Sequence, residues 1–419
     1  MKLKDLSLGF SLVSAVCTLG TGCGPSSSTD DAGTSGNDAG RAVSSPDAGQ
    51  DDGGNGAIGD ATGGDSGRGG STTDGGAYTP SNIPRSTFAQ ADDVSITAKA
   101  CVIDTDKLTI DCVSKNADGG TPYVFTAAQQ SDGSQVGVLS VKSLTVNQSA
   151  QVAVQGSVPL VLWAETTVNI QGSMDAQPAF GASNAGGAAQ TQSGGGGGAG
   201  GGGAASGASN VAGGGGGYCG VGGTGANSAV DAGAATPGGR SYGNATLLPL
   251  VAGSAGGGQG AGHEGGRGGG AIQISAGQSI LVGTNGVVDV PGYGASGNGG
   301  GGGSGGAILL EAPEVTINGV IAANGGGAGV FEGGGLAQSG QPSAQPAQGQ
   351  NAQCAVGAAG THIDGSNGTS IGANATSGGG GGAGRIRINT TSGMATVGPT
   401  AVVSPPLSTA CATQGVLGR

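Results

Sequence analysis

The sequence predicts an all-β chain: a right-handed parallel β-helix with long glycine-rich insertions at one corner, preceded by a disordered acidic tether. Three observations predict it. First, Gly270-Ala271-Ile272-Gln273-Ile274-Ser275-Ala276 recurs as Gly306-Ala307-Ile308-Leu309-Leu310-Glu311-Ala312. It returns more weakly as Gly384-Arg385-Ile386-Arg387-Ile388-Asn389-Thr390. Second, short apolar alternations closed by Gly or Asn follow the copies, the pattern of strands with one buried face. Third, the glycine blocks end where the copies begin, so they leave the repeat at one point. Repeated supersecondary units that stack make a solenoid.

The elements follow in chain order. Residues 1–22 read as a targeting segment, with Lys2 and Lys4 before a short apolar run from Leu6 to Leu19. The run ends in Leu19-Gly20-Thr21-Gly22-Cys23-Gly24 and resembles a bacterial lipoprotein signal. The resemblance implies a lipid on Cys23. Gly24 in place of Asp implies outer-membrane lipid as the anchoring partner, with exposure at the cell surface. Ordinary secretion is the alternative. Either route permits disulfides.

Residues 23–86 are mostly Asp, Gly, Ser, Thr and Ala, with Asp-Ala-Gly at Asp31, Asp38 and Asp47. Nine Asp and two Arg lie between Asp30 and Asp74, much of the net charge of −12. Such a stretch buries too little apolar surface to offset chain entropy, so it reads as the tether. Residues 87–137 read as N-terminal strands and a cap. Cys101 and Cys112 flank two short strands around a turn and are the expected disulfide pair. Cys219 and Cys354 lie in glycine-rich insertions, where a second bridge would clip two of them together. Cys411 is then left over, and connectivity stays open on sequence alone.

The β-helix is expected over residues 138–410, with a tail at 411–419. Aligning Leu160, Ile272, Ile308 and Ile386 puts Ala164, Ala276, Ala312 and Thr390 in one column. It also brings Gly172, Gly286 and Gly319 to one corner, where a positive φ would call for glycine. Gly270, Ala271, Ile272, Gly306, Ala307 and Ile308 mark where the chain re-enters the repeat. The insertions cover about 180–269, 293–305 and 325–383. They read either as unpacked decoration or as extended, polyproline-II-like strands packed on each other. Glycine does not keep a strict third-residue spacing with abundant proline, which excludes collagen.

Gly269-Gly270-Ala271-Ile272 and Gly305-Gly306-Ala307-Ile308 resemble the Gly-Gly-Ala-Ile tetrapeptide of polymorphic outer-membrane adhesins, where it marks successive β-helix coils. Their Phe-x-x-Asn motif is absent. The layout is also similar to glycine-rich surface lipoproteins of myxobacteria-like bacteria, in which an Asp-Ala-Gly tether precedes such coils. Both resemblances speak to architecture.

The catalytic-looking strings lack the context their chemistry needs. Gly64-Asp65-Ser66-Gly67 lies in the tether, whereas a triad needs an ordered frame. A phosphate loop needs Lys in a glycine loop, and none follows Lys142. His263 and His362 are too few for a metal site. Charged residues are only 10% and form no basic stripe, which argues against nucleic acid. Pectin-acting hydrolases on β-helices need close carboxylates. Asp175 and Asp289 fall near one repeat position, but the Asn-Thr-Asp and paired-Asp strings are missing. Trp163, the sole tryptophan, reads as packing. The expectation is a non-enzymatic structural or adhesive surface protein without cofactor or metal, contacting polysaccharide or another surface. A β-helix carbohydrate-active enzyme, hydrolase or lyase, is the alternative, and a glycine-rich matrix protein without specific ligand is the second.

Overall fold

The computed structural model describes residues 78–83, 91–176, 188, 198–204, 211–228, 234–258, 264–331, 335–371 and 375–418. The targeting segment, Cys23, most of the tether and His263 lie outside them. The described chain is all-β, with no helix among the described residues and three mostly parallel sheets.

The chain enters through β1 (Asp93–Ile96), β2 (Cys101–Asp104), β3 (Thr109–Ile110) and β4 (Val124–Gln129). It then visits the three sheets in a fixed rotation. The first round is β5 (Gln135–Val141), β6 (Ser143–Val146) and β7 (Gln151–Gln155). The second is β8 (Leu160–Ala164), β9 (Thr167–Ile170) and β10 (Ser173–Asp175). Then come β11 (Ala271–Ala276), β12 (Ser279–Val282) and β13 (Val287–Asp289), followed by β14 (Ala307–Glu311), β15 (Glu314–Ile317) and β16 (Val320–Ala322). The last are β17 (Arg385–Thr390), β18 (Thr396–Val397), β19 (Val402–Ser404) and β20 (Ala412–Val416). Sheet A is ordered β1-β6-β9-β12-β15-β18, sheet B β19-β16-β13-β10-β7-β2-β3, and sheet C β20-β17-β14-β11-β8-β5-β4. Only β2–β3 and β4–β5 pair antiparallel.

Register stacks like on like. Leu160, Ile272, Ile308, Ile386 and Ala412 form one row of sheet C. With rows from sheets A and B they make a single apolar core. Strands of sheet A alternate between covered and partly open residues, whereas β8, β11 and β14 are buried at every position. Sheet C is therefore covered on both faces. Its outer face carries a second apolar cluster that includes Val138, Val161, Leu309, Tyr218 and Leu250.

The cover is built of glycine. The long connections run from the ends of β10, β13 and β16 to the starts of β11, β14 and β17. Three glycine segments from them lie parallel and bond in a cycle. Gly213 and Gly216 donate to Gly299 and Gly302 at 2.8 and 2.9 Å. Gly302 and Gly305 donate to Gly379 and Gly382 at 2.9 and 3.0 Å, and Gly379 and Gly382 donate back to Gly213 and Gly216 at 3.0 and 2.9 Å. Residues between these turn to other neighbours: Gly214 and Gly217 to Gly203 and Gly200, Gly303 and Gly306 to Tyr293 and Val290. Meeting the same neighbour every third residue is the geometry of polyproline II, which has three residues per turn and no internal hydrogen bonds. The packed reading of the insertions therefore describes these segments. The cyclic bonding of three parallel strands is collagen-like in logic, although the strict triplet is missing.

Three sequence expectations change. Residues 78–83, assigned to the tether, are packed on the body, with Tyr78 and Ile83 buried. The segment 411–419 is no tail, because Ala412–Val416 is β20, paired with β17. Gly172, Gly286 and Gly319 do not need a positive φ. A Cβ on each would meet backbone oxygens of the preceding round, Ala150, Ile170 and Gly286 respectively, so close stacking selects glycine there.

Candidate functional site

Asp175 and Asp289 are register partners in sheet B. Their neighbours Met174 and Val288 enter the core, so both carboxyls lie on the outer side. Adjacent strands are about 4.8 Å apart. Asp289 is 4% exposed, and its Oδ1 has no hydrogen-bond partner among the described residues. Burial, then the charge of Asp175, hold its pKa well above the ordinary carboxylate value, opposed by the Val290 amide. Burial and the same Asp175 charge push Tyr293 up to about 12, opposed by Arg267. Burial and the like charge beside it both favour the protonated form of Asp289. A 380 Å³ cavity is lined by Asp175, Ser173, Gln151 and Val102, and Asp289 is not among its lining residues.

A second constellation lies on the outer face of sheet C. One register row runs Ser140, Trp163, Ser275, Glu311, Asn389, Gly415. Glu311 is 2% exposed, and Gln273 and Ser275 are fully buried. Glu311 Oε2 accepts from Gln273 Nε2 at 3.0 Å and Ser275 Oγ at 3.3 Å, and Oε1 accepts from Asn389 Nδ2 at 2.9 Å. Arg387 Nε donates to Asn389 Oδ1 at 2.7 Å, relaying positive charge toward the carboxylate. The segment 78–83 closes the row. Ser81 donates its N–H to Glu311 Oε2 at 2.9 Å and its hydroxyl to Oε1 at 2.7 Å. The Tyr78 ring meets Trp163 edge-on at 5.9 Å. Sequence reasoning missed this site. Its polar residues stand at the outward positions of the recurring strand, but nothing in their spacing says that the face is covered.

The outer face of sheet A is the third feature. Ser95, Thr145, Asn169, Leu281, Thr316 and Thr396 stand opposite one another strand by strand. A parallel row carries Asp93 opposite Ser143, and Thr167 opposite Ser279 opposite Glu314. All are exposed or partly exposed. The result is an array dominated by hydroxyl and amide groups at the strand repeat, interrupted by Leu281 and flanked by the carboxylates of Asp93 and Glu314.

Comparison with protein-family models, curated proteins and solved structures finds no match to this chain.

The remaining candidates fall into place around these three. Cys101 pairs with Cys112. Cys219 pairs with Cys411, not with Cys354, which corrects the expected second bridge. The cause is topological: Cys219 directly follows the glycine segment that packs with Tyr218 over sheet C, and Cys411 immediately precedes β20, the last strand of that sheet. Cys354 is a buried free thiol that donates to Asn351 Oδ1 at 3.2 Å. Among the described residues one trio has metal-ligand spacing, Cys101, Asp111 and Cys112, but both thiols are in the disulfide. His362 and Asp364 line a 590 Å³ cavity with Gln345, Val356 and Pro406. Asp364 Oδ1 accepts the Val221 N–H at 2.9 Å, which ties two insertions together. The re-entry markers Ala271 and Ala307 are opposite each other, and a Cβ on Gly306 would strike Gly270. Trp163 is packing, as described above.

Proposed function

We propose that the chain is a non-enzymatic surface protein, structural or adhesive, whose sheet A face contacts polysaccharide. The carrying observation is the row of Ser, Thr and Asn side chains at the strand repeat on five of the six strands of sheet A, broken at Leu281. Repeated hydroxyls at fixed spacing suit a repeating hydroxyl-rich polymer, and a rigid sheet presents them at little entropic cost. The finer fold in this reading is a right-handed parallel β-helix. Fixed rotation through three parallel sheets supports it, and parallel crossovers are right-handed in nearly all proteins. A lipid on Cys23 and the acidic tether would hold the body at the outer-membrane surface. The adhesin-like Gly-Gly-Ala-Ile tetrapeptides agree with that setting.

Sedimentation with insoluble cellulose, chitin and peptidoglycan tests the contact. Binding is expected to at least one of them and to be lost in Thr145→Glu/Thr316→Glu. Failure of the wild-type chain to bind any polysaccharide sinks the reading.

A carbohydrate-active enzyme is the second reading, favoured by the register of Asp175 with Asp289. Two adjacent carboxyls, one favoured in its protonated form by burial, can supply a general acid beside a base. Turnover of a polysaccharide that disappears in Asp175→Asn and in Asp289→Asn would replace the first reading by this one.

A further inference from the structure

The segment Tyr78–Ile83 sits on sheet C without belonging to it. It makes no ladder bond with any strand, yet it is held at both ends and in the middle. Tyr78 packs with Trp163 and Leu417 and donates its hydroxyl to the carbonyls of Glu311 and Ala276 at 2.6 and 3.2 Å. Ile83 enters the apolar cluster of Val136, Leu247 and Leu309. Between them Ser81 binds the Glu311 carboxylate, and its carbonyl accepts from Gln273 Nε2 at 2.8 Å. Asn82 Nδ2 donates to Gln273 Oε1 and to the Leu247 carbonyl, both at 3.0 Å.

The floor of the groove is held by sheet C as well as by this occupant. Glu311 is held from below by Gln273, Ser275 and Asn389, all on ladder-paired strands of sheet C. A sheet-held floor with two apolar anchors and a fixed carboxylate between them suits recognition of a short peptide. A 450 Å³ cavity lined by Ser81, Asn82, Gln130 and Leu248 borders the far end, so the segment is not sealed in.

We infer that this groove is a peptide-recognition site, and that it takes the Tyr78–Ile83 segment of a second copy of this chain as well as its own. The recognised pattern is Tyr, then Ser-Asn-Ile beginning three residues later. Exchange of an identical segment is a low-cost route to oligomers. The chain's own segment has an effective concentration on the order of millimolar, so exchange matters where copies are dense.

Two full-length variants test this. Tyr78→Ala/Ser81→Ala weakens the segment and leaves the groove. Glu311→Gln weakens the groove and leaves the segment. Each alone is expected to stay monomeric in sedimentation velocity, and their mixture is expected to form a one-to-one heterodimer. A fluorescent peptide of residues 76–85 should bind the first variant saturably and bind it at least about tenfold more weakly once Glu311→Gln is added, the loss of a charge-assisted hydrogen bond. Trp163 emission reports occupancy of the groove directly, since no other tryptophan is present. If Tyr78→Ala/Ser81→Ala does not fold, Ser81→Ala alone replaces it. A mixture that stays monomeric overturns the inference even if the peptide binds, and so does a heterodimer formed without peptide binding. None of these readouts involves polysaccharide, so they stand or fall apart from the sheet A reading.

Discussion

Gly302 and Ile308 are six residues apart and both buried, yet different physics holds them. Ile308 is one knob in a row of stacked aliphatic side chains, stabilised by apolar surface taken out of water. Gly302 has no side chain to bury. Its N–H bonds to Gly379, its carbonyl accepts from Gly216, and a Cβ there would come closer than 3.0 Å to the Gly326 oxygen. In the strand body, backbone groups bond within sheets and side chains fill the space between them. In the glycine body, the backbone fills the space itself. Aligned hydrogen bonds and close backbone contact must there offset the large entropy that glycine loses on ordering. Such a body gains little by hydrophobic collapse and needs a template. Sheet C provides one, with an outer face whose Val138, Val161 and Leu309 supply the apolar patch under Tyr218 and Leu250.

The largest effect should come from cutting the link between the two bodies. Cys219–Cys411 joins residues 192 apart, Cys101–Cys112 residues 11 apart. The chain-entropy model gives roughly 5 kcal/mol for the first and roughly 3 kcal/mol for the second. Urea unfolding of the two double Cys→Ser variants checks the order. Equal losses would mean that the glycine body does not need the bridge. Next, Gly302→Ala adds one carbon to the glycine body and Ile308→Val removes one from the strand core. Overpacking against backbone is expected to cost about 3 kcal/mol, the small cavity about 1 kcal/mol. If Gly302→Ala costs no more than Ile308→Val, the glycine segments are looser than their hydrogen bonds imply. Gly418→Ala, with open space around it, is the neutral control.

These differences also explain what was legible in the sequence. The strand rows were, because Ile272, Ile308 and Ile386 repeat with their surroundings, and a core selects side chains one position at a time. The three glycine segments were not separable from loose loops, since every glycine looks alike. Only the hydrogen-bond partners, three residues apart, distinguish them. Cys411 reads as unpaired in the sequence because its partner depends on which segment lies over the last strand of sheet C. The Glu311 groove stayed hidden for a related reason: Tyr78 and Ser81 sit at the end of a polar stretch, and their partners are some 230 residues away.

pH separates the two bodies further, because the packed glycine segments carry no titrating side chain while sheet B carries two opposed carboxyls. Burial works against ionised Asp104, but hydrogen bonds from Lys107, Gln155 and the Asp106 amide prevail and bring it to about 2. It is ionised in the fold at pH values where the unfolded chain, near 3.9, takes up a proton. Its contribution is therefore present above about pH 4 and lost as pH falls toward 2. Asp289 has the reverse sign. Burial and Asp175 raise its folded pKa, so the fold keeps a proton that the unfolded chain releases. The associated stability is complete below about pH 4 and is lost as pH rises through the folded value. Asp289→Asn removes the charge while keeping the shape. It is expected to raise stability by about 1–2 kcal/mol at neutral pH, the scale of one buried unsatisfied group, and to flatten the alkaline side of the stability profile. Asp104→Asn should flatten only the acid side. Urea midpoints from pH 2.5 to 8 check both. If Asp289→Asn leaves the alkaline side unchanged, the carboxyl pair is solvated in solution and sheet B is more open beside Asp175 than its register implies.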